Sequence, residues 1–287
     1  MGTVRQSRAM RREGPPSVRL QDRDLWLLES LGKMRFLATS QLARLGFGGS
    51  RSAANKRLRK LLDAGLIRVW VRSLAEDSIY SVSRPGAKQF SRGDGDSSSW
   101  TVPRDLDGNL EHLLVINEVR LSFALALTDG QAEISWWRSD WELRTATRGK
   151  VVPDAIFGIR WNAETSERVF ALEVENRTRS PLAFVRKALR YRTLLAGGSE
   201  GWGTSDFTTL VVGRDERWLE RYRLAVGNAD PGIPIAFAAL TAIEEQGPLG
   251  CVWKPSCGDE LYSLRGLDSS PYSKEGVAVE RFSGSGG

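Results

Sequence analysis

Residues 171–180, ALEVENRTRS, carry the pattern on which the fold of the second half of the chain depends. The run VFALEV is typical of a β-strand that is apolar on one face. Side chains alternate between the two faces of a strand, so Glu173 and Glu175 lie on the same face. Such a pair indicates a functional site, or an edge strand whose charges oppose aggregation. We favour a site because the other face is too apolar for a solvated edge.

The segments on both sides of this strand alternate between helical and strand patterns. Three consecutive strands joined by short turns predict an antiparallel meander, whereas strands reached across helices can add in parallel. The expected fold class is therefore α+β or α/β, with a mixed sheet. The predicted order is helix, three strands, helix, strand, helix, strand, over residues 106–130, 132–144, 151–161, 168–177, 180–198, 206–213, 215–227 and 233–240.

The first hundred residues show three short helical patterns and then two strand-like runs. We expect helices over residues 21–32, with Asp22 as N-cap and Gly32 as stop, and over 39–49, with Thr39 as N-cap. A third helix is predicted over 50–67, with a buried stripe of Ala54, Leu58, Leu61 and Leu62. The runs at 66–72 and 78–90 predict a β-hairpin. This order is typical of a winged helix.

Cationic and polar side chains occupy the faces of the third helix that lie away from its apolar stripe. Such a helix fits the major groove of duplex DNA, where Asn55 can pair with adenine and Arg51 or Arg59 with guanine. The alternative is a helical module for dimerisation whose charges are simply solvated. The predicted DNA-binding residues of this helix are Arg51, Ser52, Asn55, Lys56, Arg59 and Lys60.

Charge and length indicate two domains with different partners. Residues 1–100 hold 19 Lys and Arg against 9 Asp and Glu, so the surplus of positive charge is N-terminal. We find no signal peptide and no apolar run long enough for a membrane span, and therefore expect a cytoplasmic protein without a membrane partner. The predicted segments are a disordered basic tail, a winged-helix domain, a linker, a second domain with a mixed sheet and a flexible tail, at 1–18, 19–92, 93–106, 107–262 and 263–287.

The acidic residues of the second half predict a site for a divalent metal. With two cysteines and one histidine, His112, the chain lacks the ligands for an ordinary zinc site, so oxygen ligands and Mg²⁺ or Mn²⁺ are expected. Asp154 lies on the strand before Glu173 and Glu175, and neighbouring strands can bring the three carboxylates together. A metal held by Asp154 and Glu173 would activate water for phosphodiester cleavage, with Glu175 positioning that water.

Basic residues accompany this acidic group. Lys187 and Tyr191 lie four residues apart on the next predicted helix, and Lys187 is expected to supply positive charge to the site. Arg177 and Arg179 are expected to neutralise the nucleic-acid backbone. The predicted catalytic set is Asp154, Glu173, Glu175 and Lys187.

Two resemblances follow from these motifs. The dipeptide PD at 153–154, followed by EVE at 173–175, resembles the PD-(D/E)xK nuclease superfamily, although Glu175 stands where that motif has lysine. The helix positions Lys187 and Tyr191 resemble the Gln-x-x-x-Tyr signature of exonuclease-like relatives, with Lys for Gln. The resemblance implies that residues 107–262 form a nuclease-like domain with a restriction-endonuclease-like mixed sheet. It also implies a magnesium site at Asp154 and Glu173 beside a lysine.

The whole layout resembles the replication-relaxation family of plasmid and mobile-element proteins, over roughly residues 20–240. It consists of the predicted winged helix followed by LEHLLVINEVRL, PDA, LEVENRT and KALRYR, at 110–121, 153–155, 172–178 and 187–192. The resemblance implies DNA transactions on mobile elements. The activity stays open between a magnesium-dependent deoxyribonuclease, a non-catalytic regulator whose second domain serves dimerisation or DNA clamping, and a module that docks a plasmid replication or transfer protein.

Overall fold

The computed structural model is mixed α+β, which confirms the predicted fold class. It divides into two compact units, Met1–Leu121 and Ser122–Gly287. None of the described helices combines the length and the apolar character needed to cross a membrane. The structure describes residues 18–73, 75–91, 100, 102–106, 108–147, 151–162, 164, 166–175, 180–197 and 206–269.

The first unit packs helices against a small antiparallel sheet. The strand order is β1, β3, β2, with β3 in the centre. The predicted succession of three helices and a hairpin agrees with the structure, and the stripe predicted for the third helix is buried. The elements are α1 (Asp22–Met34), β1 (Leu37–Ala38), α2 (Thr39–Phe47), α3 (Arg51–Asp63), β2 (Ile67–Trp70), β3 (Ile79–Val82), α4 (Arg84–Ser91) and α5 (Leu110–Ala126), whose last turns belong to the second unit.

The ends of α1 differ from the predicted ends. Gln21 rather than Asp22 is the N-cap, because the Gln21 backbone N–H donates to Asp24 at 2.8 Å in a capping box. Gly32 does not stop the helix, which continues to Met34. Its missing side chain makes room for the Trp100 ring, because a Cβ there would lie 2.2 Å from that ring. Gly32 is therefore a packing position.

Two further predictions for the first unit are wrong. Ala38 rather than Thr39 is the N-cap of α2, and the Thr39 hydroxyl donates instead to the Ser78 carbonyl at 3.1 Å. The strand predicted to continue to residue 90 ends at Val82, and α4 begins at Arg84. The Ser83 hydroxyl accepts from the Gly86 N–H at 3.1 Å, so a serine cap followed by proline starts a helix there.

The second unit is built on a six-stranded mixed sheet, ordered β4, β5, β6, β7, β8, β9. The first three strands form the predicted antiparallel meander, and β7 and β8 add in parallel. Because β6 pairs on both sides, the edge-strand interpretation of Glu173 and Glu175 is wrong. The elements are β4 (Ala132–Ser139), α6 (Asp140–Thr147), β5 (Ala155–Trp161), β6 (Glu167–Glu175), α7 (Pro181–Gly197), β7 (Thr208–Gly213), α8 (Glu216–Ala229), β8 (Ile235–Ala239), α9 (Leu240–Gln246), β9 (Lys254–Pro255) and a 3-10 helix (Arg265–Ser269).

The strand predicted over 132–144 ends at Ser139, and α6 follows. The Glu142 carboxylate accepts from the Ser139 backbone N–H at 2.8 Å, which is one half of a capping box. Near the C-terminus, residues 263–269 fall within the predicted flexible tail, yet Leu264 and Leu267 are buried there. Residues 1–17 of the predicted basic tail and most of the predicted linker lie outside the described residues.

The two units divide inside α5, whereas the sequence placed the boundary before residue 107. The Asn117 amide donates to the Met34 and Phe36 carbonyls at 3.0 and 2.7 Å, and Glu118 pairs with Arg44. Buried polar groups require such partners, so these bonds tie the first turns of α5 to the first unit.

Candidate functional site

Asp154 lies near Glu173, where the ladder between β5 and β6 ends. The register of this antiparallel pair ends with Ala155 opposite Leu172, and Asp154 comes just before it. The Asp154 N–H donates to the Leu172 carbonyl at 3.0 Å, and the Val174 N–H donates to Asp154 Oδ2 at 2.8 Å. The Asp154 carboxylate is close enough to raise the pKa of Glu173. The structure therefore brings together the two carboxylates predicted to hold a metal.

Two side chains of α7 reach Glu173. The Lys187 ammonium and the Tyr191 hydroxyl donate to different oxygens of its carboxylate. Their four-residue spacing places both on one face of the helix. Pro181 stands in the first turn of α7, and the Ser180 hydroxyl caps that turn by accepting from the Ala183 N–H at 3.2 Å. The predicted approach of Lys187 to the acidic pair agrees with this geometry.

The environment of Glu173 favours its neutral form. Its side chain is 1% exposed, and Lys187 is 16% exposed. Burial raises the pKa of Glu173 to about 7; the Lys187 charge opposes this shift, and the Asp154 carboxylate adds to it. A buried carboxyl that titrates near neutrality is typical of functional sites, although structural ion pairs can show the same behaviour.

Glu175 does not complete a three-carboxylate cluster with Asp154 and Glu173. It is buried near the end of β6. Two residues of extended chain carry it about 7 Å further along the strand than Glu173, away from Asp154. Among the described residues no three His, Cys, Asp or Glu side chains form a group that could hold a metal ion. The acidic site is therefore a pair.

The stability of the second unit is expected to fall as the pH rises from about 4.5 to about 7. The pKa of Glu173 moves from its ordinary value of 4.5 to about 7 on folding. Between these values the folded protein holds a proton that the unfolded chain has released, so a higher pH favours unfolding. The full difference is on the order of 3 kcal/mol.

The Glu173→Gln variant separates this effect from the titration of other groups, because glutamine has the same shape and no titratable proton. Urea unfolding of both proteins with EDTA, at several pH values, measures the difference in unfolding free energy. We expect this difference to shift in favour of the variant as the pH rises. A pH-independent difference would contradict the assignment.

A second candidate site is the exposed side of α3. The Ser50 hydroxyl caps this helix by accepting from the Ala53 N–H at 3.3 Å. Opposite its buried stripe, α3 exposes Ser52, Asn55, Lys56 and Lys60. Lys56 and Lys60 form no ion pair with any residue that the structure describes. Their charges are therefore available to an external anion.

The arginines of α3 are engaged within the protein. Arg51 pairs with Asp77, and Arg59 pairs with Asp63 one turn later at 2.9 Å. Arg57 pairs with the fully buried Asp24 of α1. The spacing of Arg59 and Asp63 is visible in the sequence, but the partners Asp77 and Asp24 depend on the tertiary fold. Guanine contacts by Arg51 and Arg59 stay a prediction, and each would need to displace an acid.

Replacement of Ser50 by Ala is expected to destabilise α3 by about 1 kcal/mol, because the Ala53 N–H loses its cap. The Ser50→Gly variant is expected to cost only a few tenths of that amount, since glycine is tolerated at N-caps. Thermal unfolding of both variants and the wild type measures the order of their stabilities. An Ala variant as stable as the wild type would show that the cap contributes nothing.

The remaining sequence candidates lie elsewhere. His112 and Glu118 belong to α5 in the first unit, where Glu118 pairs with Arg44. Glu142 caps α6. Among the described residues, none of these three forms a group of three possible metal ligands with the acidic pair. Arg177 and Arg179 lie outside the described residues.

Comparison with known proteins gives one match. The family model described as Replication-relaxation matches residues 28–211, which is well over half of the chain. The matched part runs from α1 to β7 and includes both candidate sites. No curated protein and no solved structure matches the chain.

Proposed function

The chain belongs to the replication-relaxation family, and from that premise we propose that it is a replication-associated DNA-binding protein of a plasmid or mobile element. Its first unit, a winged-helix domain, binds duplex DNA through α3. One observation carries this proposal: Lys56 and Lys60 are exposed on the side of α3 opposite its buried stripe, without an acidic partner among the described residues. A helix that is apolar on one side and cationic on the other fits a major groove.

Each exposed residue of α3 has a definite task in this proposal. Lys56 and Lys60 contact phosphates, which gives affinity without sequence preference. Asn55 lies beside Lys56 and can bond both polar groups of an adenine edge, which gives sequence preference. Ser52 lies in the first turn, where the helix N-terminus favours a phosphate.

A titration of labelled duplex DNA with the full chain at several salt concentrations tests the proposal. Each phosphate contact contributes about −0.9 to the slope of log affinity against log salt. Lys56 and Lys60 alone are expected to give a slope of about −1.8. Absence of binding, or binding that does not depend on salt, would refute the proposal.

A second candidate function is metal-dependent nicking of DNA by the second unit. The observation that favours it is the proximity of Asp154 to Glu173, with Lys187 in contact with Glu173. Mg²⁺ usually takes one or two carboxylates together with waters and substrate phosphate, so this pair fits such an ion. When bound, the ion would supply a Lewis acid and an activated water. Lys187 would hold positive charge beside the phosphate.

Nicking is tested by incubating supercoiled plasmid with the full chain and Mg²⁺ or Mn²⁺. If the pair holds the ion, we expect Asp154→Asn to reduce nicking at least a hundredfold, because one of two protein ligands is lost. The matched control is Asp140→Asn, which changes the same charge at a residue that pairs with Arg144. A wild-type protein that is inert with both metals would favour the second unit as a scaffold for dimerisation or DNA clamping.

A further inference from the structure

The helices α7 and α8 form one layer on the sheet of the second unit. Both connect neighbouring parallel strands, and right-handed crossovers place such helices on the same face. The rings of Phe184 and Tyr222 stack with centroids 4.9 Å apart. Eight residues after Phe184, Arg192 of α7 pairs with Asp230, which follows Tyr222 by eight residues and caps the end of α8. Because the partners advance together along the chain, the two helices run side by side in the same direction.

The outer face of this layer carries four arginines without acidic partners. Arg186 and Arg190 lie four residues apart on α7, and Arg217 and Arg221 lie four residues apart on α8. All four are exposed, and none forms an ion pair with any residue in the described part of the chain. Arg221 lies over the Trp218 ring, with its guanidinium carbon 4.9 Å from the centroid.

The acids of the layer are mostly committed to other cations. Asp230 pairs with Arg192, and Glu220 pairs with Arg223, which is buried. Asp215 caps α8 by accepting from the Trp218 N–H at 3.0 Å. Glu216, in the first turn of α8, is the exposed acid nearest in sequence to these arginines. The outer face therefore keeps a clear surplus of positive charge.

Within each helix the two like charges are unfavourable. Like charges four residues apart on a helix repel each other, and none of the four arginines forms an ion pair with a described acid that would offset this repulsion. A polyanion would remove the repulsion. Guanidinium groups bind phosphate through two parallel hydrogen bonds, and arginines four residues apart are about 6 Å apart along the axis, a step that suits successive phosphates of one strand. Leu182, Leu189 and Leu224 are exposed on the same helices and offer apolar contacts to sugars.

We propose that the outer face of α7 and α8, defined by Arg186, Arg190, Arg217 and Arg221, is a second nucleic-acid binding surface that contacts the phosphate backbone. It lies in the second unit and uses neither α3 nor the acidic pair, so it goes beyond the proposed function. Its contacts are independent of sequence, because arginines bound to phosphates do not distinguish bases.

Two double variants of the full chain test this surface, Arg186→Gln with Arg190→Gln and Arg217→Gln with Arg221→Gln. The matched control is Arg144→Gln with Arg160→Gln. It removes the same charge from the second unit at arginines that already pair with Asp140 and Glu133. In DNA titrations at several salt concentrations, each test variant is expected to reduce the salt slope by about one to two and to weaken specific and random duplexes equally. The control is expected to keep the wild-type slope.

The surface is assigned wrongly if both test variants keep the slope and the affinity of the wild type; its chemistry would then fit an acidic protein instead. Circular dichroism is expected to show an unchanged fold, because all four side chains are exposed. The test is independent of α3: Lys56→Ala with Lys60→Ala removes the first surface and leaves the second. An effect of the α7 and α8 variants without an effect of the α3 variant would refute the proposed function and support this inference.

Discussion

Replacement of Lys187 by Met is expected to lower the free energy of unfolding of the second unit by about 3 to 5 kcal/mol at pH 8. The variant leaves the Glu173 carboxylate buried without its cation, while the methionine keeps most of the apolar stem. At pH 5 the cost is expected to be smaller, because loss of Lys187 raises the pKa of Glu173 further, so that Glu173 is protonated there and no longer carries an unpaired charge.

The adjacent Arg186→Met provides the matched control, since it removes the same charge from an exposed position of the same helix. It is expected to change the unfolding free energy by about 0.5 kcal/mol or less. Urea unfolding, monitored by circular dichroism, measures the unfolding free energy of both Met variants. Adding Glu173→Gln to Lys187→Met is expected to restore part of the loss. Equal effects of the two Met variants would mean that Lys187 does not neutralise Glu173.

The second large effect concerns α3. Lys56→Ala with Lys60→Ala is expected to weaken duplex binding roughly ten- to a hundredfold near 100 mM salt and to reduce the salt slope by about two, because two phosphate contacts are lost. Asn55→Ala is expected to cost about 1 to 3 kcal/mol on the preferred sequence and little on random duplex, because it removes a base contact. Fluorescence anisotropy with both duplexes measures these changes.

Lys33→Ala with Lys88→Ala is the matched control for the lysine pair. Both lysines are exposed in the first unit, Lys33 on α1 and Lys88 on α4, and neither lies on α3. This variant has the same net charge as the test variant, so a general loss of positive charge would affect both equally. We expect only the α3 variant to lose affinity. Comparable losses in both would indicate a diffuse electrostatic attraction without a defined surface.

Periodic patterns of apolar residues in the sequence predicted the fold well. The stripe of Ala54, Leu58 and Leu61 fixes which side of α3 is buried, and the alternation around Glu173 fixes which residues share a face of β6. The proximity of Asp154 to Glu173 follows from a short antiparallel connection, which is a local feature. Such arguments succeed where a periodic face must be buried whatever its partner is.

The errors arose where a few local hydrogen bonds or a distant contact decides the structure. The hydrogen bond from the Ser139 N–H to the Glu142 carboxylate caps a helix that starts inside a segment rich in strand-forming residues. Glycine is typical of the end of a helix, but Gly32 lies inside α1. A glycine is needed there because the Trp100 ring, 68 positions later in the chain, occupies the space of a side chain. The pairing of Arg51 with Asp77 likewise depends on tertiary structure. Periodicity contains no information about such partners.

The central claim, that α3 binds duplex DNA, is tested most directly by lysine acetylation of the full chain with and without duplex, measured residue by residue by mass spectrometry. We predict that DNA protects Lys56 and Lys60, while Lys33 and Lys88 are acetylated at the same rate in both samples. Unchanged acetylation of Lys56 and Lys60 at saturating DNA, or equal protection of all four lysines, would contradict the claim.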